Sequence, residues 1–331
     1  MSHIFRSDDV TVGERVVVRR RLEGVFSDVI GHVTALDPLT VHPQEVGGFP
    51  SSLSEVVIPS EQIHVVKRLS PRRIRNSDIR HVETAYARAF PGTDHAWTSD
   101  GQWLMRAGDG ITERSNSATP LGRSAGFSPV PLNEISAFYQ ARDLPVRLHL
   151  PERLGASAER LVEGWSLSPE ILVMTRSLSS LPETSGEGFS VDPQPDDEWL
   201  SLYHFRGQAL PPAALALLSE QIDGEMGFGR LRQDGETVAI TRATLTASDD
   251  ERLWLGYSAV EVKDAYRRRG LGTRLGAEVL AWGASRGASE AYLQVIASNA
   301  VGISLYEKLG FLEHHRHRYA TLPGPSSLSF E

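Results

Sequence analysis

The stretch Val262-Lys-Asp-Ala-Tyr-Arg267-Arg268-Arg269-Gly270-Leu271-Gly272-Thr273 constrains this chain of 331 residues more than any other. It joins an apolar run over 253–262 to a segment in which Leu271, Leu275, Val279 and Leu280 recur at helical spacing. A run apolar on both faces reads as a strand inside a covered sheet. Gly287 is placed to end the helix. Between strand and helix, Gly270 and Gly272 remove side chains where the backbone must turn, exposing N–H groups that can grip a pyrophosphate at a helix N-terminus. Arg267, Arg268 and Arg269 add cationic donors for phosphate.

The order G-x-G-x-x-G of a dinucleotide site is absent, and no Gly-Lys-Ser/Thr follows as in a Walker loop. The stretch resembles the R/Q-x-x-G-x-G/A coenzyme A loop of the GCN5-related N-acetyltransferase (GNAT) superfamily, with Arg267, Gly270 and Gly272 on the defining positions. A second block lies at the required distance. After a strand-like run at 291–297 comes Asn299-Ala-Val-Gly302-Ile-Ser-Leu305-Tyr306-Glu-Lys-Leu-Gly310-Phe311. It resembles the family's N-x-x-A-x-x-L-Y-x-x-x-G-F segment, with Gly302 where alanine is usual.

The resemblance implies an acetyl-CoA-dependent N-acetyltransferase that needs no metal. Arg267, Arg268, Arg269, Gly270, Leu271, Gly272 and Thr273 would hold the coenzyme, and Asn299 its pantetheine arm as well as capping a helix over 300–309. Backbone N–H groups around Val260, between Ala259 and Val262, would face the thioester oxygen where the strand splays from its neighbour. Tyr306 would protonate the departing thiolate, since a phenol of pKa near ~10 can hydrogen-bond a thiolate whose thiol sits near ~8.5. Some relatives carry a general-base glutamate on the strand, but that position falls near Gly256 here. Glu261, Tyr257, Asp264, Glu225 and His204 are alternatives, and none is assigned.

Bulk properties narrow the class. The absence of cysteine excludes disulfides, thiolate zinc sites and a cysteine acyl-enzyme. A net charge of −8 argues against a nucleic-acid partner, whose binding draws on clustered cations. No apolar run is long enough to span a bilayer and no signal-peptide core opens the chain, so a cytoplasmic protein without a membrane partner is expected. Self-association into a homo-oligomer stays open.

Three parts are expected. Residues 1–68 carry short β-branched runs at 10–18, 31–36, 56–58 and 63–66, with turn formers at Asp37-Pro38 and Gly47-Gly48, and suggest a small all-β, SH3-like barrel. Arg19-Arg20-Arg21 reads as a charged strand end sooner than as a patch for an acidic partner. Residues 70–180 turn to mixed α/β, with helices at 74–90 and 132–142, strands at 102–106 and 111–114 joined through 108–110, and a buried strand at 171–174. This segment lacks a phosphate loop and resembles the degenerate first half of tandem acetyltransferases. A Ser/Pro/Gly-rich linker leads into 189–325, the catalytic GNAT part, with helices near Trp199 and at 211–222, a hairpin at 226–246 turning at Asp234-Gly235, and a final strand pair after Gly310-Phe311. The fold class is thus α/β (α+β), a GNAT fold with a mixed central sheet, a degenerate GNAT-like middle domain and a small N-terminal β-barrel.

Stand-alone N-acetylglutamate synthases share this layout, so the resemblance implies the α-amine of L-glutamate as acceptor and a place in amino-acid (arginine) biosynthesis. An acceptor carboxylate needs an arginine, and Arg242, Arg114 and Arg316 are available. The run Arg114-Ser115-Asn116-Ser117 reads equally as a carboxylate site or a satisfied turn. On a strand, His315 and His317 would share one face, which without a third ligand is an acceptor-pocket or surface strand and no metal site. Another small amine or a protein amine stays open as acceptor. So does an acyl-CoA-binding regulatory module, which the missing strand glutamate favours and the retained Tyr306 opposes.

Overall fold

The computed structural model describes residues 10–45, 50–69, 74–108, 110–205, 208–209 and 222–323. The expected Gly47-Gly48 turn, Asp109 of the 108–110 connection and residues 211–221 of an expected helix lie outside the described residues. The chain divides into two compact units, one reaching Arg75 and including Glu313–His315, the other running Asn76–Leu312 and resuming at Arg316.

In the first unit five strands, β1 (Arg15–Leu22), β2 (Val25–Leu36), β3 (Leu39–Pro43), β4 (Val56–Ile58) and β5 (Ile63–Arg68), form an antiparallel sheet in the order β4-β3-β2-β1-β5. Alternation puts Val16, Val18, Val33 and Val41 into its core with Ile58. Arg19 pairs with Asp28 at 2.9 Å across the β1–β2 hairpin, and the Arg20 Nε donates to Ser27 Oγ at 3.3 Å. These two arginines are strand-end charges with neighbours of their own.

The second unit contains α1 (Asn76–Ala89), β6 (Asp94–Trp97), β7 (Trp103–Ala107), β8 (Ala118–Pro120), α2 (Leu132–Gln140), β9 (Arg147–Pro151), β10 (Ser166–Leu167) and β11 (Ile171–Ser177). It continues through β12 (Phe189–Asp192), α3 (Asp197–Leu202), a small hairpin of β13 (His204–Phe205) and β14 (Gln208–Ala209), β15 (Gly224–Gln233), β16 (Glu236–Ala247) and β17 (Leu253–Val262). Last come α4 (Leu271–Ser285), β18 (Glu290–Ile296), α5 (Ala300–Lys308) and β19 (Leu312–Thr321).

The stretches 70–180 and 189–325 build one sheet of 12 strands, ordered β12-β15-β16-β17-β18-β11-β19-β9-β8-β7-β6, with β10 beside β19. The two stretches interleave. β11 runs antiparallel to β18 from Ile171↔Ile296 to Ser177↔Glu290, and β19 pairs with β9 from His317↔Pro151 to Thr321↔Arg147. On one face, α1 packs Val82, Ala85 and Tyr86 on Val173, Trp254 and Tyr292. On the other, α4 packs Leu275, Val279 and Leu280 with Leu255, Leu293 and Phe311. Neighbours Trp254 and Leu255 thus face opposite layers, as the doubly apolar reading of this strand requires.

Four expectations change. Residues 111–114 form no strand, because Asn116 draws the chain into a loop: its Oδ1 accepts from Gly108 N–H at 2.8 Å and Gly110 N–H at 3.0 Å, and its Nδ2 donates to the Thr112 carbonyl at 2.8 Å. β6, unforeseen, pairs with β7. The final strand pair is the single strand β19, whose partners come from the middle stretch. His314, His315 and His317 are buried and not on a surface strand. No helix among the described residues is long and apolar enough to cross a membrane.

Candidate active site

β17 and β18 run parallel and pair from Trp254↔Glu290 to Gly256↔Tyr292 and no further, although they continue to Val262 and Ile296. The cause lies on the other edge of β17. Its register with β16 shifts between Ile240 and Arg242, Ala259 takes a left-handed φ of 55°, and Thr241 Oγ1 donates to the Ser258 carbonyl at 2.9 Å. A bulge of this kind bends a strand and increases its twist. A cleft of about 260 Å³ opens between the parting strands, with Ser258, Ala259, Val260 and Glu261 on one side and Gln294, Val295 and Ile296 on the other. Past Gly256, peptide groups of β17 on this edge have no β18 partner and can turn to a ligand.

After Val262 a 3₁₀ turn, Asp264–Tyr266, leads to Arg267. The Arg267 Nε donates to the Val262 carbonyl at 3.0 Å, and its Nη2 lies 2.9 Å from Asp264 Oδ1 and 3.9 Å from Glu261 Oε2. Arg268 (φ 60°) and Gly270 (φ 77°) then reverse the chain into α4. Arg274 N–H makes a helical bond to Gly270 O at 3.0 Å, and the preceding N–H groups of Leu271, Gly272 and Thr273 belong to the helix start, whose donors lack intrahelical acceptors. The Leu271 side chain itself is buried, so only its backbone bears on the loop. The Arg269 guanidinium lies over the Tyr266 ring at 5.1 Å.

The two glycines serve different ends. Gly270 needs its left-handed backbone and has open space above it, whereas a Cβ on Gly272 would press on Leu305 at 2.8 Å. Gly272 therefore permits α4 to approach α5 and is not itself the turn. Helix-start N–H groups, three arginines and the open space above Gly270 form a donor set suited to a pyrophosphate.

Asn299 Oδ1 accepts from Gly302 N–H at 2.9 Å, capping α5, and the same residue lines the cleft. Tyr306 lines it too, with its ring edge-on to Tyr257 and Phe311 at 6.0 and 6.3 Å. Burial, and then the charge of Glu261, push the Tyr306 phenol up to about 12, so it is protonated at neutral pH. Glu261, Tyr257 and His204 all line the cleft. Burial raises the Glu261 carboxyl above the ordinary range, against the pull of His204 and Arg267 and with Asp264 reinforcing it. Glu225 pairs with Arg286 at 3.2 Å outside the cleft lining, and Asp264 is an exposed partner of Arg267.

The middle stretch closes the far end with Tyr86, Phe90, Glu113, Arg114 and Ile171, joined by Tyr319 of β19. The Tyr86 and Tyr319 hydroxyls hydrogen-bond at 2.9 Å. Sequence reading missed Tyr86, Tyr292, Gln294 and Tyr319, because aromatics at such spacing look like core and only distant strand pairing gathers them. Of the three arginines considered for an acceptor carboxylate, Arg114 lines the cleft, with its guanidinium 5.2 Å from the Phe90 ring centre. Arg242 is buried, donates to the Ala89 carbonyl at 3.0 Å, and is pulled down to about 10 by burial. Arg316 is in an ion pair with Glu170. Asn116 is the satisfied turn, and Ser117 accepts from Arg106 Nη2 at 3.3 Å. His317 packs edge-on to His149 at 4.4 Å, and no group of metal-binding side chains occurs among the described residues.

Residues 76–320 match the family model described as "Probable histone acetyltransferase Rv0428c C-terminal". The chain is 37% identical over 320 residues to the probable histone acetyltransferase Rv0428c of Mycobacterium tuberculosis, covering 95% of this chain and 96% of that protein. It is 33% identical over 126 residues to the ribosomal protein bS18-alanine N-acetyltransferase of Escherichia coli, covering 37% of this chain and 81% of that protein. A solved GCN5-related N-acetyltransferase from Kribbella flavida shares the fold with a TM-score of 0.54 at 16% identity, covering 76% of this chain and 98% of that one. The chain belongs to the Rv0428c acetyltransferase family within the GCN5-related N-acetyltransferases, and is an N-acetyltransferase that uses acetyl-CoA.

Proposed function

We propose that this acetyltransferase acts on an amine carried by a polypeptide. The engagement of Arg242 and Arg316 carries the reading: two of the three guanidiniums considered for a free amino acid's carboxylate already serve the Ala89 carbonyl and Glu170, and the third, Arg114, lies over the Phe90 ring beside Glu113. For a glutamate carboxylate that leaves Arg114 alone on the cleft wall. The cleft wall instead offers the carboxylates of Glu113 and Glu261, in a chain of net charge −8, which favours a cationic amine. By their names, both the mycobacterial and the E. coli relatives act on proteins.

Acetyl-CoA supplies the activated acyl group. The N–H groups of Leu271, Gly272 and Thr273 with Arg267, Arg268 and Arg269 hold its phosphates, and Asn299 meets its pantetheine arm. Backbone N–H groups between Ala259 and Val262 stabilise charge developing on the carbonyl oxygen. Glu261 takes a proton from the acceptor ammonium, directly or through water, and its raised affinity for protons suits that task. The amine nitrogen bonds to the acyl carbon as the carbon–sulfur bond breaks, Tyr306 gives its proton to the departing sulfur, and the second proton that the nitrogen sheds on becoming an amide returns through water to the Tyr306 phenolate. A thiol-release assay from acetyl-CoA across peptides, lysine, polyamines and glutamate tests the reading: peptides should drive release, and release with glutamate alone would replace it. The protein, lacking cysteine, adds no thiol background.

A further inference from the structure

The Arg267 guanidinium stands between the phosphate loop and a carboxylate of the cleft. Its Nε donates to the Val262 carbonyl at 3.0 Å, which ties the side chain to the end of β17. Its Nη2 thereby comes to 2.9 Å from Asp264 Oδ1 and 3.9 Å from Glu261 Oε2. Asp264 is 87% exposed, so water screens that pair, whereas Glu261 is 27% exposed and lines the cleft. The Arg267 side chain is itself 57% exposed, and it precedes the helix start whose N–H groups suit a pyrophosphate. One cation thus serves the loop and the cleft carboxylate at once.

The other groups that bear on Glu261 come from three elements. His204 of β13 favours its ionised form, Asp264 of the turn opposes it, and the Tyr306 phenol on α5 feels its charge. Of these neighbours only Arg267 also belongs to the phosphate-binding set. In solvent-like surroundings, two unit charges at such a separation change proton affinity roughly fivefold. Phosphate oxygens beside Arg267 would take over that attraction and add negative charge of their own. The Glu261 carboxylate then holds its proton more tightly in the coenzyme complex than in the free protein. A base of higher proton affinity accepts a proton from an ammonium more readily. Glu261 is therefore the stronger base when the acyl donor is in place.

We propose that Arg267 is a positioning residue with two partners, Glu261 in the free protein and phosphate in the complex, so that coenzyme binding releases Glu261 to the acceptor. This deepens the reading above, in which Arg267 holds phosphate and Glu261 takes the acceptor's proton. The test is calorimetric titration of the full chain with coenzyme A between about pH 5 and 7, in two buffers of different ionisation enthalpy, which counts the protons taken up on binding. Glu261→Gln supplies the uptake due to the coenzyme's own phosphates and to every other group. Wild type should exceed that variant by at most about 0.4 proton per coenzyme bound, the amount a roughly fivefold change in affinity gives. Arg267→Gln, set against its double variant with Glu261→Gln, should bind about tenfold more weakly and lose the excess. Arg268→Gln, set against its own double variant, should bind more weakly and keep it. All three side chains are at least partly exposed, so the substitutions leave the core untouched. Equal uptake by wild type and Glu261→Gln overturns the proposal, and so does equal loss of the excess in both arginine variants. If the excess is present while the acid limb of kcat/KM persists in Glu261→Gln, the linkage stands and Glu261 is removed as the base.

Discussion

The rings of Tyr257 and Tyr306 meet edge to face with centroids 6.0 Å apart, one on the strand that bends away and one on the helix that Asn299 caps. This contact holds the Tyr306 hydroxyl at the cleft while the charge of Glu261 helps keep its proton on. Tyr306→Phe should therefore lower kcat about 10²-fold, the low end of general-acid contributions, with the acetyl-CoA dissociation constant unchanged. Calorimetry and single-turnover rates separate the two effects. Unchanged turnover would remove Tyr306 from proton transfer.

Glu261 gives a pH prediction. A base works deprotonated, so kcat/KM should fall as pH drops through a value above the ordinary carboxylate range, the direction in which burial moves this group. Glu261→Gln should abolish that acid limb as well as lower the rate. Persistence of the limb in the variant would assign the base elsewhere, with His204 the first alternative on the cleft wall.

The backbone of the turn over 262–273 was legible almost residue for residue, since a strand, a left-handed glycine and a helix start are set by neighbours in sequence. The hairpin at Asp234-Gly235, with φ of 51° and 82°, was legible for the same reason. What escaped was long-range. Nothing local in 171–177 announces that β11 lies between β18 and β19, and that insertion helps bring Tyr86 and Tyr319 to a cleft made mainly by 256–306. The β-branched residues of 111–114 suggested a strand, but the three hydrogen bonds of the Asn116 side chain outweigh propensity there.

Gly270 and Gly272 should respond differently to substitution. Gly270→Ala forces a side-chain-bearing residue to φ 77°, costing about 1–2 kcal/mol, and should weaken coenzyme A binding about tenfold. Gly272→Ala presses on Leu305, so Leu305→Ala should restore part of its lost stability and leave Gly270→Ala unrelieved. Denaturant titration of the double variants reads the coupling, and equal rescue of both would contradict the distinction.

Glu83, buried on α1 with its Oε2 3.6 Å from His149 Nδ1, is pushed up to about 7 by burial, against the pull of His317 and Arg106. An unfolded glutamate ionises near ~4.3, so between that value and about 7 the folded chain keeps a proton that the unfolded chain releases. The stability this confers is complete below ~4.3 and is lost as pH rises through the folded value. Relative to Glu83→Gln, the wild type's melting temperature should fall as pH increases across that window. A pH-independent difference between the two would contradict the buried, raised carboxyl.

Mass spectrometry of the reaction product tests the acceptor most directly. After incubation with acetyl-CoA and an equimolar mixture of free glutamate and a lysine-containing peptide with a free N-terminus, fragmentation should locate an acetyl group on a peptide amine. N-acetylglutamate with an unmodified peptide would contradict a polypeptide acceptor and return the enzyme to amino-acid acetylation.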